Sequence, residues 1–415
     1  MKKLFPLLLC AALICAALTF ALAEEEERIV DASGLFEYVL REDGSAELIR
    51  YLGGEGRVLI PNDLDGHPLL AVRQNPFYNE SGQTVKACAA AVAKDHPYLA
   101  TINNVLFGKT DWKLIAYPTT QTDAEYAIPE GIEIIGAYAF CRCDNLRAVT
   151  IPQGVTHIGE SAFRLCKKLT SVSIPDSVVS LGASAFYYCQ SLASIDIPAG
   201  VTGIGENCFE ECDKLTSVVL PEGLTGVPDY LFKSCNSLTA VVIPDGVASI
   251  GTAAFSYCAN LTSADLPGSL VTIGDYAFYH CEILPAVSFP ASLDRIGDHV
   301  FAFCYALTSV EIPGNVVAIG PTAFGYCDNL ASVVLSDGVA SIGKEAFRDC
   351  KKLAAVTIPD SVTSIGEKAF LSCSPDLTVQ VGFGSYAEGY CMKNAVNYET
   401  DDDAYGDAST DWLNH

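Results

Sequence analysis

Apolar residues recur in this chain on a cycle of 23 positions. An apolar marker falls at Ile128, Ile151, Ile174, Ile197, Leu220, Ile243, Leu266, Phe289, Ile312, Leu335 and Ile358. Twelve residues after every marker stands a Phe, from Phe140 to Phe370. Three residues after every Phe stands a Cys, from Cys143 to Cys373. Eleven units follow one another without an insertion. A fixed period of this size marks a stacked solenoid, in which each unit touches only its neighbours, and not a globular enzyme fold.

The unit 151–173 shows what one cycle encodes. Leu169-x-x-Val172-x-Ile174 is a short apolar, β-branched run that predicts a strand. Pro175 closes it, because proline cannot donate to a strand ladder. Ten of the eleven units carry that Pro, and Ser336 is the exception. Val155 and Ile158 are expected to point inward from a turn. Gly159 then marks either a positive φ or a close backbone approach; only Pro228 replaces Gly at that place. Ala162, Phe163 and Cys166, spaced i, i+1 and i+4, fall on one face of a short helical turn.

One unit cannot bury its apolar side alone, but eleven stacked units make continuous ladders of Leu, Val, Ile, Ala, Phe and Cys. Each fully buried Phe or Leu contributes roughly 1.5–3 kcal/mol. Strands about 4.8 Å apart give an eleven-strand sheet roughly 50 Å long. The order L-x-x-V-x-I-P followed by V-x-x-I-G-x-x-A-F-x-x-C resembles the BspA-type, or treponemal-type, leucine-rich repeat. Eleven consecutive units match it, from Ile128 to about Val381. The resemblance implies an α/β repeat fold: a right-handed solenoid with strands on one face, short helical turns on the other, and terminal caps. It also implies a secreted or surface-displayed bacterial protein that binds other proteins, some of them host matrix proteins, with no catalytic residues.

The chain divides accordingly. A secretory signal peptide is expected at 1–23: Lys2 and Lys3, an apolar run from Leu4 to Phe20, then Ala21-Leu22-Ala23. A β-rich N-terminal cap follows at 24–59. A degenerate unit with a longer insert occupies 60–127, the insert (His96–Ile128) resembling one common in the family. The eleven repeats run over 128–381, a C-terminal cap over 382–399 and an acidic tail over 400–415. The apolar leader is too short for a good membrane-spanning helix. Leu9 and Ile14 stand before Cys10 and Cys15 where a lipid-attachment signal needs a small residue, so a released or surface-held monomer is expected.

The formal net charge is −25, and loss of the two leader lysines leaves 23 basic against 50 acidic residues, or −27. Such a surface repels nucleic acid and anionic membrane. Seventeen cysteines less two in the leader leave fifteen, eleven of them in the ladder. An even disulfide framework does not fit an odd, equivalent series, so a ladder of buried free thiols is expected, each a small hydrophobe and weak donor. Cys208 takes a buried Ala place. Cys88, Cys141 and Cys391 lie off the ladder and are the better candidates for thiol chemistry.

Catalytic motifs are scarce. Gly338–Glu345 nearly spells a phosphate-binding loop, but Glu345 stands where Ser or Thr must hold Mg²⁺. The six histidines (His67, His96, His157, His280, His299, His415) have no metal-ligand spacing. Carboxylate pairs such as Glu210-Glu211 and the Asp401–Asp403 run are expected on exposed turns or the tail. No catalytic, metal or cofactor residue is assigned, and an enzyme is not expected.

Surface remains. The outward strand positions, Thr170, Ser171, Ser194, Ser217, Thr239, Ser263, Ser309 and Ser332, are small and polar and lack the anchors of most interfaces. The residue before each ladder Cys differs: Tyr188, Glu211, Ser234, then Tyr257, His280, Phe303 and Tyr326 in successive units, with Tyr187, Tyr279 and Tyr305 nearby. This stripe is either a contact patch for a protein or glycan, or packing that shields the convex turn. Tyr188, Tyr257, His280, Phe303 and Tyr326 are the candidate partner-binding residues. The expected function is extracellular protein–protein binding, in adhesion or host interaction through a matrix or cell-surface protein. An envelope spacer and a carbohydrate-binding surface are the alternatives.

Overall fold

The computed structural model describes residues 26–79 and 84–400. The leader expected at 1–23 and, Thr400 apart, the acidic tail lie outside them. The repeats form a β-solenoid, but most coils carry two strands rather than one. The expected strand is present, as at Ser171–Ser173 and Ala355–Ile358, paired in parallel with its equivalent one unit away (Val149 with Val172, Val333 with Val356). A second ladder is built from His157–Ile158, Ser180–Leu181 and their equivalents, pairing Ile135 with Ile158 and Ile158 with Leu181. Two residues per unit suffice because the ladder, and not the individual strand, is the cooperative object.

A proline stands at one break in each ladder. In the second ladder Gly205 N–H donates to Leu181 O, and Gly251 N–H to Val227 O. Pro228 has no N–H to give at that place, and the ladder divides there, between Gly203–Ile204 and Gly226–Val227. On the first ladder Thr239 and Thr262 N–H groups donate to the unit before. Pro285 occupies the next equivalent position, and paired strands resume only at Ser309–Ile312.

The third side of the coil is not helical, contrary to the expected short helical turns. Phe163 N–H donates to Ala185 O of the next unit, while Cys166 N–H donates to Phe163 O of its own. Alternate amides thus cross between units, whereas an α-helix returns every amide to its own segment four residues back. Two residues per unit, two before and two after the Phe, are left-handed: Ser161 (φ 52°) and Leu165 (φ 61°) in one unit, with equivalents in all eleven. This side is a stack of turns, reversed twice per unit by a conformation that L-residues ordinarily avoid.

Inside, the eleven Phe rings lie face to face at 4.9–5.7 Å, within 18° of parallel. Each ladder thiol from Cys166 onward donates to the Phe carbonyl of the preceding unit, as Cys166 does to Phe140 O (2.9 Å) and Cys258 to Phe232 O (3.2 Å). The glycine column serves close approach: a Cβ on Gly159 would sit 2.7 Å from the Ala137 amide nitrogen, and on Gly205 2.3 Å from that of Ala183.

Both ends are closed, as an open ladder edge requires. At the N-terminus Phe36–Leu40 and Ala46–Tyr51 form an antiparallel pair, and Ala46–Tyr51 also pairs in parallel with His67–Val72. The cap and the degenerate unit therefore share a sheet and a hydrophobic cluster reaching from Phe36 to Ala116. The insert is an antiparallel meander (Leu99–Ile102, Val105–Gly108, Lys113–Ala116) whose last strand starts the second ladder. At the C-terminus lies the single α-helix among the described residues, Tyr386–Asn394. The Ser385 side chain accepts from Glu388 N, and Glu388 accepts from Gly384 N. Tyr398–Thr400 then adds a strand beside Thr378–Val381.

Candidate functional site

The stripe residues leave the coil at the second left-handed position. Their φ values are 62° for Tyr188, 59° for Tyr257, 58° for His280, 63° for Phe303 and 61° for Tyr326. It is this backbone reversal, and not a helical i+2 offset, that puts Phe255, Phe301 and Phe324 inside and the residues two later outside. Four of the five rings come together. Tyr257 stacks on His280 (4.9 Å, 10°), His280 on Phe303 (4.3 Å, 7°) and Phe303 on Tyr326 (4.5 Å, 4°). Tyr188 stands apart, separated by the Glu211 and Ser234 units, with Lys167 over its ring at 5.5 Å.

Neighbouring rings brace the stack. Tyr279 meets Tyr257, His280 and Phe303 edge-on at 4.7–5.4 Å, and Tyr305 meets His280 and Phe303 at 6.2–6.3 Å. The first left-handed column adds a second stack, Tyr276 on His299 (4.7 Å, 8°). Sequence reasoning passed over this pair, although their 23-residue separation was the available signal. Burial raises the pKa of Tyr279, reinforced by Tyr257, and raises that of Tyr305, reinforced by Glu282 and Asp328. The turn faces that carry the stack, 252–260, 275–283, 298–306 and 321–329, hold Asp275, Glu282, Asp298 and Asp328 but no Lys or Arg.

Packing and exposure therefore coexist. The interior ring faces are consumed by stacking, with Tyr257 still 42% exposed. A glycan platform needs open ring faces, which the middle of the stack does not offer. On the strand face the Thr hydroxyls are tied into the ladder, Thr170 to Arg147 O (2.9 Å) and Thr239 to Thr216 O (3.1 Å). Exposed Val219, Val242 and Val334 interrupt the expected small polar surface.

Other expectations need correction. Glu210 is buried, not on an exposed turn, because Lys233 Nζ reaches it at 2.8 Å and Asn207 donates to it. Cys88, Cys141 and Cys391 are as buried as the ladder thiols, and burial pushes the Cys141 thiol up to about 12 and that of Cys391 to about 11. Low thiolate content and poor access make them unreactive rather than chemically favoured. His96 is fully buried, accepting from the Tyr98 and Leu99 amides and contacting Pro61 O at 3.0 Å, and serves the insert's fold. Among the described residues no group of His, Cys, Asp and Glu is arranged to hold a metal.

The model of the BspA type leucine rich repeat region, in six copies, matches residues 133–262 and 248–376. The chain belongs to the BspA-type leucine-rich repeat family. No enzymatic family is indicated for this BspA-type protein. Its structure is similar to that of a leucine-rich repeat protein from Bacteroides ovatus (24% identity, 88% of this chain and 98% of that one, TM-score 0.49). It is also similar to a leucine rich cell surface protein from Faecalibacterium prausnitzii (26%, 92% and 100%, TM-score 0.41). A third is the leucine rich repeat protein of T. pallidum (26%, 62% and 91%, TM-score 0.35). No curated protein matches the chain. No helix among the described residues is long and apolar enough to cross a membrane.

Proposed function

We propose that this BspA-type protein is a non-enzymatic, monomeric scaffold that binds another protein outside the cell, in adhesion or host interaction. The observation that carries the reading is the concentration of Tyr257, His280, Phe303 and Tyr326, braced by Tyr279 and Tyr305, in four consecutive units. Aromatic side chains with an exposed edge and a polar tip are the usual anchors of interfaces. A spacer has no need to confine them: its outer positions would be uniform, yet the same column holds Glu211 and Ser234 before the stack and Asp349 and Ser372 after it. The leader read at 1–23 and the family support an extracellular location. Tyr188 is a separate, lesser contact in this reading.

The test is a pull-down against host matrix proteins and bacterial wall fractions with native protein and with Tyr257, Phe303 and Tyr326 all changed to Ser. Loss of three stacking contacts at roughly 0.5–1.5 kcal/mol each lowers the melting temperature without unfolding the solenoid. Capture should fall well beyond that of a core variant destabilised equally. Capture equal to native would exclude the stack as the binding surface.

A further inference from the structure

We propose that the Tyr257 end of the ring stack is a slot for an arginine side chain of the partner protein. The proposal rests on the binding reading above and specifies the chemistry of what is bound. Its warrant is the other end of the same stack. There the protein's own Arg348 lies over Tyr326, 5.7 Å from the ring centre. The same guanidinium donates from Nε to Asp349 Oδ2 (2.8 Å) and from Nη1 to Glu345 Oε2 (3.0 Å). Asp349 is the stripe residue of the next unit. The terminal ring is thus covered by a planar cation held by a stripe carboxylate.

The Tyr257 end has a ring and a carboxylate, and among the described residues no Lys or Arg lies over that ring. One face of Tyr257 is taken by His280, so the other turns toward the preceding unit, whose stripe residue is the small, half-buried Ser234. One unit further stands Glu211, whose carboxylate is hydrogen-bonded by the Ser234 side chain. Ring, small floor and carboxylate then span two unit spacings, about 10 Å. That leaves room for one planar cation on the ring, between it and the carboxylate. Lys233 acts on Glu211 at longer range, but its Nζ is bound 2.8 Å from Glu210 and lies over the Tyr230 ring at 5.4 Å, not over Tyr257. Burial, together with Asp213 and Glu210, raises the pKa of Glu211 against the opposing pull of Lys233 and the Ser234 hydrogen bond.

Guanidinium suits this slot better than ammonium. It is planar, weakly hydrated, stacks on an aromatic face and presents paired donors to a carboxylate. The chain's large negative charge favours a basic partner in the same direction.

The experiment titrates the full-length chain, labelled in its tyrosine rings, with N-acetyl-arginine amide and with its lysine and citrulline counterparts, followed by NMR. The Tyr257 resonances should move with arginine, about fivefold more weakly with lysine, and not with citrulline. Glu211→Gln should weaken the Tyr257 response to arginine about fivefold, and Tyr257→Leu should weaken by as much the response of the neighbouring Tyr279 ring. Glu211→Gln is near-isosteric, so its native melt keeps the test readable if Tyr257→Leu folds poorly. Equal responses to arginine and lysine, an unmoved Tyr257, or an indifferent Glu211→Gln would overturn the slot. The two readings fail separately. Partner capture lost in the triple Ser variant with no arginine response removes the slot and leaves the binding surface. An arginine response with capture unaffected by that variant removes the surface reading, and with it the partner assigned to the slot.

Discussion

Replacing Phe255 by Ala tests whether the units are held together by nearest-neighbour stacking. Phe255 is 1% exposed, and its ring lies between Phe232 (5.7 Å, 18°) and Phe278 (5.1 Å, 11°). Its carbonyl also accepts from the Cys281 thiol at 3.3 Å. Truncation removes contacts with three units at once and leaves a cavity that the stacked backbone, pinned by amides crossing to the next unit, cannot close. The expected cost is about 3–5 kcal/mol. Phe370, at the last unit, is 6% exposed and stacks face to face only with Phe347 (5.6 Å); its other neighbour is the edge of Tyr390 at 6.2 Å. Phe370→Ala should cost less, by about the 0.5–1.5 kcal/mol of one aromatic stack. The assay is urea denaturation followed by circular dichroism, with amide hydrogen exchange to separate local from global opening, because long arrays need not unfold in one step. Equal losses at the two sites, or protection lost uniformly along the chain in both variants, would refute a core built of pairwise unit-to-unit terms.

Three further outcomes are expected. Native protein should label slowly with thiol reagents, Cys373 reacting first because it alone among the described cysteines is partly exposed; Cys258→Ala should cost on the order of 1 kcal/mol. Fast labelling of central thiols in folded protein would contradict the buried ladder. Burial pushes the Cys258, Cys304 and Cys373 thiols up to about 12, against 9.0 when exposed. A raised pKa means that the folded state holds its protons more tightly, so this stability is whole below pH 9 and is lost as pH rises toward 12. For a fully buried thiol such as Cys258 the slope is about 1.4 kcal/mol per pH unit. Melting temperature followed from pH 7 to 11 should fall steeply above 9, and less so after Cys258→Ala and Cys304→Ala; a flat profile would argue against it. Lys368 is exposed with φ 60°. Lys368→Asn should stabilise by about 0.5–1 kcal/mol and Lys368→Val should destabilise, since Asn tolerates that conformation and a β-branched residue does not; the reverse order in thermal melts would deny the left-handed turn.

The 23-residue period alone determined the repeat family, the number of units, the inward Phe and Cys columns and the glycine column, because each unit buries the same side against its copy. It also placed Tyr257, His280, Phe303 and Tyr326 in one column, since equal spacing in a stacked array is equal position. Tertiary structure alone decided the rest. The second ladder of paired dipeptides such as His157–Ile158 is too short for any periodicity to show, and exists only because neighbouring coils supply its hydrogen bonds. The turn side looked helical because i, i+1 and i+4 spacing fits a helix, but amides that cross between units and the paired left-handed residues override that local preference. Glu210 reads as a solvated carboxylate in the sequence, but Lys233, 23 residues away, pairs with it in the fold. The stripe's character also depended on contacts between units: rings that could have faced solvent spend their inner faces on one another, leaving one open face at Tyr257.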